Sequence, residues 1–313
     1  MRIAIDAMGG DYAPLAVVKG AITASKEFDH NVKLVLLGNQ RLITEILKQH
    51  GNEIHNLEII HAPEIIGMGE HPTKSIAQKP NSSIVIGYKL LAAKEVDVFC
   101  SAGNTGAMLV GAMYTVKTIE GIIRPGIAGF IPKISGKYGI LIDVGANAEC
   151  KPDVLAQFAE MGSLYAHYIF GLEKPRVGLM SLGEEEEKGT LVTQSAHQLI
   201  KLNPKINFIG NVEGRDVFLD KADVIVCDGF VGNVILKLSE SIYPILKEKN
   251  FVDDFIELFD WSKVGGSPIL GINGNVVIGH GSSSEFAIKN MIKLSKELVE
   301  SQITQKLKQA YCC

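Results

Sequence analysis

Val98-Phe99-Cys100-Ser101-Ala102-Gly103-Asn104-Thr105-Gly106-Ala107 is the stretch on which the fold turns. The apolar run from Val96 to Cys100 has the length of a strand, and it ends in small polar residues. Ala107, Met108, Val110 and Met113 then open a helical pattern. The reading is a strand, a tight turn and a helix N-terminus. Gly103 and Gly106 let a ligand approach the backbone, and the unpaired N–H groups of a first helical turn attract anions. Ser101, Gly103, Asn104, Thr105 and Gly106 are therefore expected to form an anion cradle. The competing reading is an ordinary strand-to-helix turn with a hydroxyl as its cap.

Working outward, strand-like runs at Ile3 to Asp6, Lys33 to Leu37 and Leu57 to Ile60 alternate with helical patterns at Ala13 to Lys26 and Gln40 to His50. Further apolar runs follow at Ile127 to Ile131, Gly139 to Asp143, Val177 to Ser181, Ile206 to Ile209 and Val224 to Cys227. Their near-continuous hydrophobicity predicts parallel strands covered on both faces. Later helices are expected over Glu186 to Leu202, Val231 to Lys249 and Ser284 to Gln309. The fold class is α/β, a doubly wound α/β/α body with a mostly parallel sheet, and residues 1–313 read as a single domain. Several strands end in small-residue turns: Asp6 to Asp11 with Gly9 and Gly10, Asp143 to Asn147, Ser181 to Glu184, and Asp228 to Asn233. Parallel topology gathers such turns at one edge, where open α/β sheets bind ligands. Taken singly, each is a turn glycine with an Asp or Asn capping the next helix.

The chain has 313 residues, is 46% hydrophobic and 21% charged, and carries a formal net charge of -4. Nothing in that balance recruits nucleic acid. Met1 to Asp6 enters a strand directly, without a signal-peptide core, so the expected location is cytoplasmic. Cys100, Cys150, Cys227, Cys312 and Cys313 have no metal-ligand spacing, and the terminal pair reads as a frayed tail. No metal is expected. Serine-hydrolase elbow, P-loop, zinc-helix and dinucleotide fingerprints are all missing. Cys100, at the end of an apolar strand, reads as inert rather than as an acyl acceptor.

Gly183-Glu184-Glu185-Glu186-Glu187-Lys188-Gly189 is the sharpest charge feature. The acids read as dressing a first helical turn or a solvated face, and Lys188 as a fixed positive charge that serves catalysis or else forms a surface ion pair of small value. His280-Gly281-Ser282-Ser283-Ser284-Glu285 precedes the last long helix as a cap. Ser282 could hold phosphate oxygens there, and His280 could be a general acid or base or simply structural. Asn104 and Asn233 are candidate donors to an oxyanion.

Together these stretches, with Ile209 to Gly214 and in this order over nearly the whole chain, resemble the bacterial phosphate acyltransferases of phospholipid synthesis (the PlsX family). The resemblance implies a three-layer fold related to phosphotransacetylases and isocitrate or isopropylmalate dehydrogenases, a homodimer, and no cofactor. It implies acyl transfer from acyl-acyl carrier protein to inorganic phosphate, with the product passing to a glycerol-3-phosphate acyltransferase. A soluble enzyme visiting the inner face of the cell membrane is also implied. Asp6, Asp11, Lys79, Asp143, Asn147 and Asp228 are taken as substrate-binding on that basis, and Gly9, Gly10 and Ser282 join the phosphate cradle.

Two departures stand out. Before Asn81-Ser82-Ser83 only Lys79 supplies the cation where relatives carry consecutive basic residues. The segment from Tyr243 to Gly266 is short, and its set of Phe251, Phe255, Leu258, Phe259 and Trp261 lies among acids, which argues for burial against the body or a dimer mate over membrane docking. Arg124, Lys133 and Arg215 are expected to steer the acidic carrier protein. A short-chain phosphotransacetylase using acyl-coenzyme A, a nicotinamide-dependent dehydrogenase of the related fold and a non-catalytic scaffold binding the carrier remain open.

Overall fold

Three consecutive residues, Ile3, Ala4 and Ile5, are completely buried in the computed structural model, which describes residues 1–50 and 56–311. Successive strand residues face opposite sides, so burial of all three requires cover on both faces of the sheet. The chain divides into two compact units, the first comprising Met1–Thr118 and Trp261–Gln302, the second Ile119–Asp260 and the residues from Ile303 onward. The Cys312-Cys313 tail lies outside the described residues.

The first unit runs β1 (Arg2–Asp6), α1 (Leu15–Glu27), β2 (Lys33–Gly38), α2 (Gln40–His50), β3 (Leu57–His61), α3 (Pro72–Gln78), α4 (Ser83–Ala92), β4 (Val98–Ser101) and α5 (Thr105–Gly111). The second holds β5 (Gly126–Pro132), β6 (Tyr138–Ile142), α6 (Pro152–Phe170), β7 (Arg176–Met180), α7 (Leu191–Lys201), β8 (Asn207–Val212), β9 (Val224–Val226) and α8 (Gly229–Glu248). The chain then returns to the first unit for β10 (Ser267–Leu270), β11 (Asn275–Ile278) and α9 (Glu285–Glu300), and ends in the second with α10 (Ile303–Tyr311).

Strand order in the first unit is β3-β2-β1-β4-β11-β10, parallel except for β10. In the second it is β5-β6-β9-β7-β8, parallel except for β5. The mostly parallel α/β expectation holds, and two strands depart from it. Ile127 to Ile131 was expected to be parallel, yet β5 pairs antiparallel with β6 because only five residues, 133–137, join them, too few for a crossover. The β10–β11 hairpin, closed by Gly271 to Gly274, carries no long apolar run and escaped the strand reading altogether.

Helices differ at two places. The expected helix from Ser284 to Gln309 breaks at Gln302, whose φ is +56°, and α9 and α10 fall in different units. The expected helix at Glu186 begins only at Leu191, because Gly189 takes φ +100° and Thr190 accepts the Thr193 N–H as N-cap. The four glutamates therefore lie in a loop and dress no helical turn. Among the described residues, no helix is long and apolar enough to cross a membrane.

Candidate functional site

In the first unit the turns after β1, β4 and β11 are knotted together at the carboxyl ends of three parallel strands. Asp6, closing β1, is 1% exposed and accepts the Met8 N–H (3.0 Å) and the Ser101 hydroxyl (2.7 Å). Ser101 Oγ in turn accepts the Gly103 N–H at 2.9 Å. Burial pushes the Asp6 carboxyl up, against the hydrogen bonds from Ser83 and Ser101 that favour its charged form. Gly9 is glycine for a packing reason: a Cβ there would sit 2.4 Å from Asp6 Oδ2 and 2.7 Å from the Gly103 nitrogen. Asp11 extends the knot by donating its N–H to Gly281 O at 2.8 Å. Asp6 and Ser101 thus build the turns, with their polar atoms turned inward.

Asn104 is buried and its side chain is fully engaged. Its Oδ1 accepts the Ala107 N–H (2.9 Å), which fixes the amide orientation and directs Nδ2 at the carbonyls of Gly67 (3.1 Å), Met68 (3.1 Å) and Glu70 (3.0 Å). Both N–H bonds are committed to the 67–70 turn, so the expected donation to an oxyanion has no proton left to make it. The cradle that remains is main-chain: the N–H groups of Thr105 and Gly106 have no acceptor among the described residues. Gly106 itself is required by Pro72, whose Cγ would lie 2.4 Å from a Cβ.

Lys79 is likewise committed. Its Nζ meets Glu70 Oε1 at 2.5 Å and the Ile65 carbonyl at 2.7 Å, so this cation clasps the 65–70 segment instead of standing free for substrate. The Lys79 ammonium, followed by the Gly67 N–H and the Ser75 hydroxyl, holds the Glu70 carboxyl down to about 2 from its ordinary 4.5. A depressed acid contributes stability that is complete above its ordinary value and is lost as pH falls through the depressed one. The melting temperature of Glu70→Gln is accordingly expected to fall less steeply than that of the unmodified protein between pH 4.5 and about 2. Parallel thermal melts across that range check it, and superimposable slopes contradict it.

After β11, His280 Nδ1 accepts the Ser282 N–H (3.2 Å) and lies 2.8 Å from Ser282 Oγ, while its ring rests 4.6 Å from that of Trp261. Nδ1 is therefore an acceptor, and the proton of the neutral ring sits on Nε2. Ser284, two residues further on, caps α9.

The second unit has a corresponding edge, where the carboxyl ends of β6, β9, β7 and β8 succeed one another. Asp143, completely buried, accepts N–H groups from Ile127 (3.0 Å), Gly145 (3.1 Å), Ala146 (3.0 Å) and Asn147 (2.7 Å), and the Asn147 side chain (3.0 Å). Asn147 gives its other side-chain bond to Pro125 O at 2.8 Å, and Asp228 caps α8 through the Val231 N–H at 2.8 Å. The hydrogen-bonding capacity of Asp143 and Asn147, expected to meet substrate, is largely taken up by the turn, whereas Asp228 spends one oxygen on its cap. Asn233 is exposed and donates to Val144 O at 3.1 Å, and its second N–H has no acceptor among the described residues.

Lys188 lies in the exposed loop between β7 and α7. Two of the four glutamates are drawn away from it, Glu184 to Lys221 (2.7 Å) and Glu186 to Lys201. Among the described residues no carboxylate pairs with Lys188, so its charge faces outward. The three residues expected to steer a carrier protein fare differently. Lys133 is buried, donates to Val217 O at 2.7 Å and is pushed down to about 8 by that burial; Arg215 is tied to Glu213 at 2.5 Å; Arg124 is exposed. Glu184, Glu213 and Asp216 draw together, but Arg215 and Lys221 already neutralise them. Burial pushes the Cys100 thiol up to about 12, which agrees with an inert cysteine.

The Tyr243 to Gly266 segment is not one amphipathic helix. After α8 it forms short turns, in which Phe259 is buried against Phe218 (5.0 Å) and Phe255 (5.2 Å), while Phe251 stays exposed.

Mostly parallel sheets with their turns gathered at the carboxyl ends define an open α/β fold, and solved phosphotransacetylases share it. A phosphotransacetylase from Streptococcus pyogenes superposes with a TM-score of 0.65 at 18% identity over 95% of this chain and 94% of that one. EutD phosphotransacetylase from Staphylococcus aureus gives 0.63 at 17%, over 95% and 94%; at such identities the likeness is one of fold. A family model described as "Fatty acid synthesis protein" matches residues 1–251. Phosphate acyltransferase from Dictyoglomus thermophilum is 42% identical over 326 residues, 98% of this chain and 96% of that protein. That from Syntrophomonas wolfei is 42% identical over 310 residues, 97% of each. The chain belongs to the phosphate acyltransferase family.

Proposed function

We propose that this protein transfers an acyl group from acyl carrier protein to inorganic phosphate, giving acyl phosphate for phospholipid synthesis. The observation that carries the reading is identity of 42% to phosphate acyltransferases along nearly the whole chain. A phosphate oxygen attacks the thioester carbonyl, the tetrahedral adduct collapses with cleavage of the C–S bond, and the thiolate leaves to take up a proton. No enzyme nucleophile is needed, and the inert Cys100 offers none. Positioning two bound reactants removes about 7–11 kcal/mol of barrier at the favourable limit.

The amides of Thr105 and Gly106, with the Gly9-Gly10 turn and Ser282 beside them in the proposal, orient phosphate. Lys188 stabilises phosphate or the departing thiolate, and the free N–H of Asn233 serves the oxyanion. His280, with its N–H on Nε2, is the candidate hydrogen-bond donor to the leaving thiolate, which takes its proton from solvent. Residues 1–313 are read as a single phosphate acyltransferase domain in this proposal. The test mixes long-chain acyl-acyl carrier protein with phosphate and follows free thiol together with hydroxylamine-trappable product. Turnover of acyl-coenzyme A in preference to the carrier would favour a short-chain phosphotransacetylase, and carrier binding without thiol release a scaffold.

A homodimer is part of the same proposal. Phe230, Val234, Leu238 and Ile245 are exposed at near-helical spacing along α8, and Phe230 and Leu238 are 68% and 65% exposed. An apolar stripe of this kind marks an interaction surface. Leu238→Glu is expected to convert a dimer to monomers in sedimentation velocity, and an unchanged dimer would move the interface elsewhere. The proposed location is cytoplasmic, with transient contact at the inner membrane face to deliver product to a glycerol-3-phosphate acyltransferase.

A further inference from the structure

We propose that Asn211, oriented by the buried His197, is a positioning residue that fixes the Gly183–Gly189 loop and with it the ammonium of Lys188. The inference rests on the catalytic reading of Lys188 and goes further by naming what holds it in place.

The geometry begins in the strand. Between β7 and β8 the register shifts: Val177 faces Phe208 and Leu179 faces Asn211, so β8 carries one extra residue, and Gly210 within it adopts φ +92°. A bulge of this kind re-aims the side chain beside it. Here that side chain is Asn211, 3% exposed, whose Nδ2 donates to the Glu185 carbonyl at 2.8 Å. Since Nδ2 is the donor there, Oδ1 is the acceptor at 2.9 Å from His197 Nδ1, and the imidazole carries its proton on Nδ1.

His197, also 3% exposed, is held edge-on to Phe208 with ring centroids 4.9 Å apart, and its Nε2 faces Glu186 Oε1 at 3.8 Å. Burying an amide is costly unless each of its polar atoms finds a partner. Both atoms of the Asn211 amide are used, one on the ring that orients it and one on the loop. The far end of the loop is held independently: Gln194 donates to the carbonyls of Glu187 (2.7 Å) and Gly189 (3.2 Å), and Ser181 donates to Lys188 O (3.2 Å). Asn211 is the anchor on the side nearer the strand. The loop is thus pinned through its carbonyls, while the exposed Lys188 side chain has no ion-pair partner among the described residues. A group that must meet developing charge at one place gains from this preorganisation.

Two readouts test the proposal on the full-length protein. In limited trypsinolysis, Asn211→Ala and His197→Leu are expected to be cut after Lys188 faster than the unmodified protein, while His197→Asn, whose amide N–H replaces Nδ1–H, is cut at the original rate. In turnover of acyl-acyl carrier protein with phosphate, Asn211→Ala is expected to lower kcat by on the order of ten- to a hundredfold, the cost of a displaced catalytic group. In a Lys188→Ala background the same substitution is expected to cost less than about twofold more, because the group it positions is gone. The full loss repeated in that background would make Asn211 merely structural, and unchanged cleavage after Lys188 would show that Asn211 does not hold the loop; either overturns the proposal. Melting temperatures identify any variant that fails to fold; should Asn211→Ala do so, Asn211→Asp, which keeps the shape and the acceptor for His197 but loses the donor to the Glu185 carbonyl, carries both readouts. Undiminished turnover by Lys188→Ala alone overturns the catalytic reading and the positioning role with it, whereas the cleavage rates report separately on whether Asn211 grips the loop.

Discussion

Lys188→Ala is expected to lower kcat for acyl phosphate formation by on the order of a hundred- to a thousandfold, the range seen when one electrostatic stabiliser of a tetrahedral intermediate is removed. The reason is local. Glu184 and Glu186, which would otherwise neutralise this ammonium, are drawn off by Lys221 and Lys201, so a positive charge is presented at the carboxyl edge of the second unit's sheet with no partner among the described residues. The same lack of a partner makes the substitution nearly silent for folding, within about 0.5 kcal/mol, since an exposed side chain away from caps and cores leaves nothing unsatisfied behind. Activity and stability should therefore separate. If the charge acts on bound phosphate in the ground state as well, KM for phosphate rises; if it acts only on the departing thiolate, KM stays and kcat falls. Initial rates over a range of phosphate concentrations, beside a thermal melt, measure both. Turnover within a factor of about two of the unmodified enzyme, below the effect of any single stabilising donor, would take Lys188 out of the chemistry.

The strand-turn-helix reading of Val98 to Ala107 succeeded because three local signals agreed: an apolar run, small polar residues, and helical spacing after them. The same agreement held along the parallel strands. It failed where tertiary context decides. Nothing in the spacing of Asn104 distinguishes an amide aimed at substrate from one clamping the 67–70 turn, because its three acceptors lie more than thirty positions away in the chain. Lys79 is nearer its partners, Glu70 nine and Ile65 fourteen positions earlier, but nothing in the spacing shows that the chain folds back to bring them together. Asn211 and His197 were passed over, since one lies in a strand and the other in a helix, and only the bulge at Gly210 brings them together. The two hairpins could have been read. Ser135-Gly136 and Asn273-Gly274 are turn signals, outweighed by a strong βαβ cadence.

The glycines separate packing from chemistry most clearly in the second unit, and there the largest effect on stability is expected. Asp143→Ala deletes a buried carboxylate that accepts four main-chain N–H groups and one side-chain bond. A fully buried donor left without an acceptor costs about 1–3 kcal/mol; only the Ile127 N–H is fully buried, and water can reach the other donors in part, so the total is about 3–5 kcal/mol, a large share of the 5–15 kcal/mol that holds a typical domain. Asp143→Asn keeps the shape but turns one oxygen into a donor facing donors, and should fall between. Gly232→Ala attacks the same knot from the other side, since a Cβ there would lie 1.9 Å from the Asp143 carbonyl oxygen, far inside contact distance. Because the two changes disturb one turn, the first through the Asp143 side chain and the second through its main chain, their combination should destabilise by less than the sum. Urea unfolding of the single and double variants measures this. If Asp143→Ala unfolds at the original midpoint yet loses activity, the carboxylate acts on substrate, and its hydrogen bonds to the turn are incidental; if stability falls while the rate per folded molecule holds, its task is to set the turn that carries Asn233 and the first residues of α8.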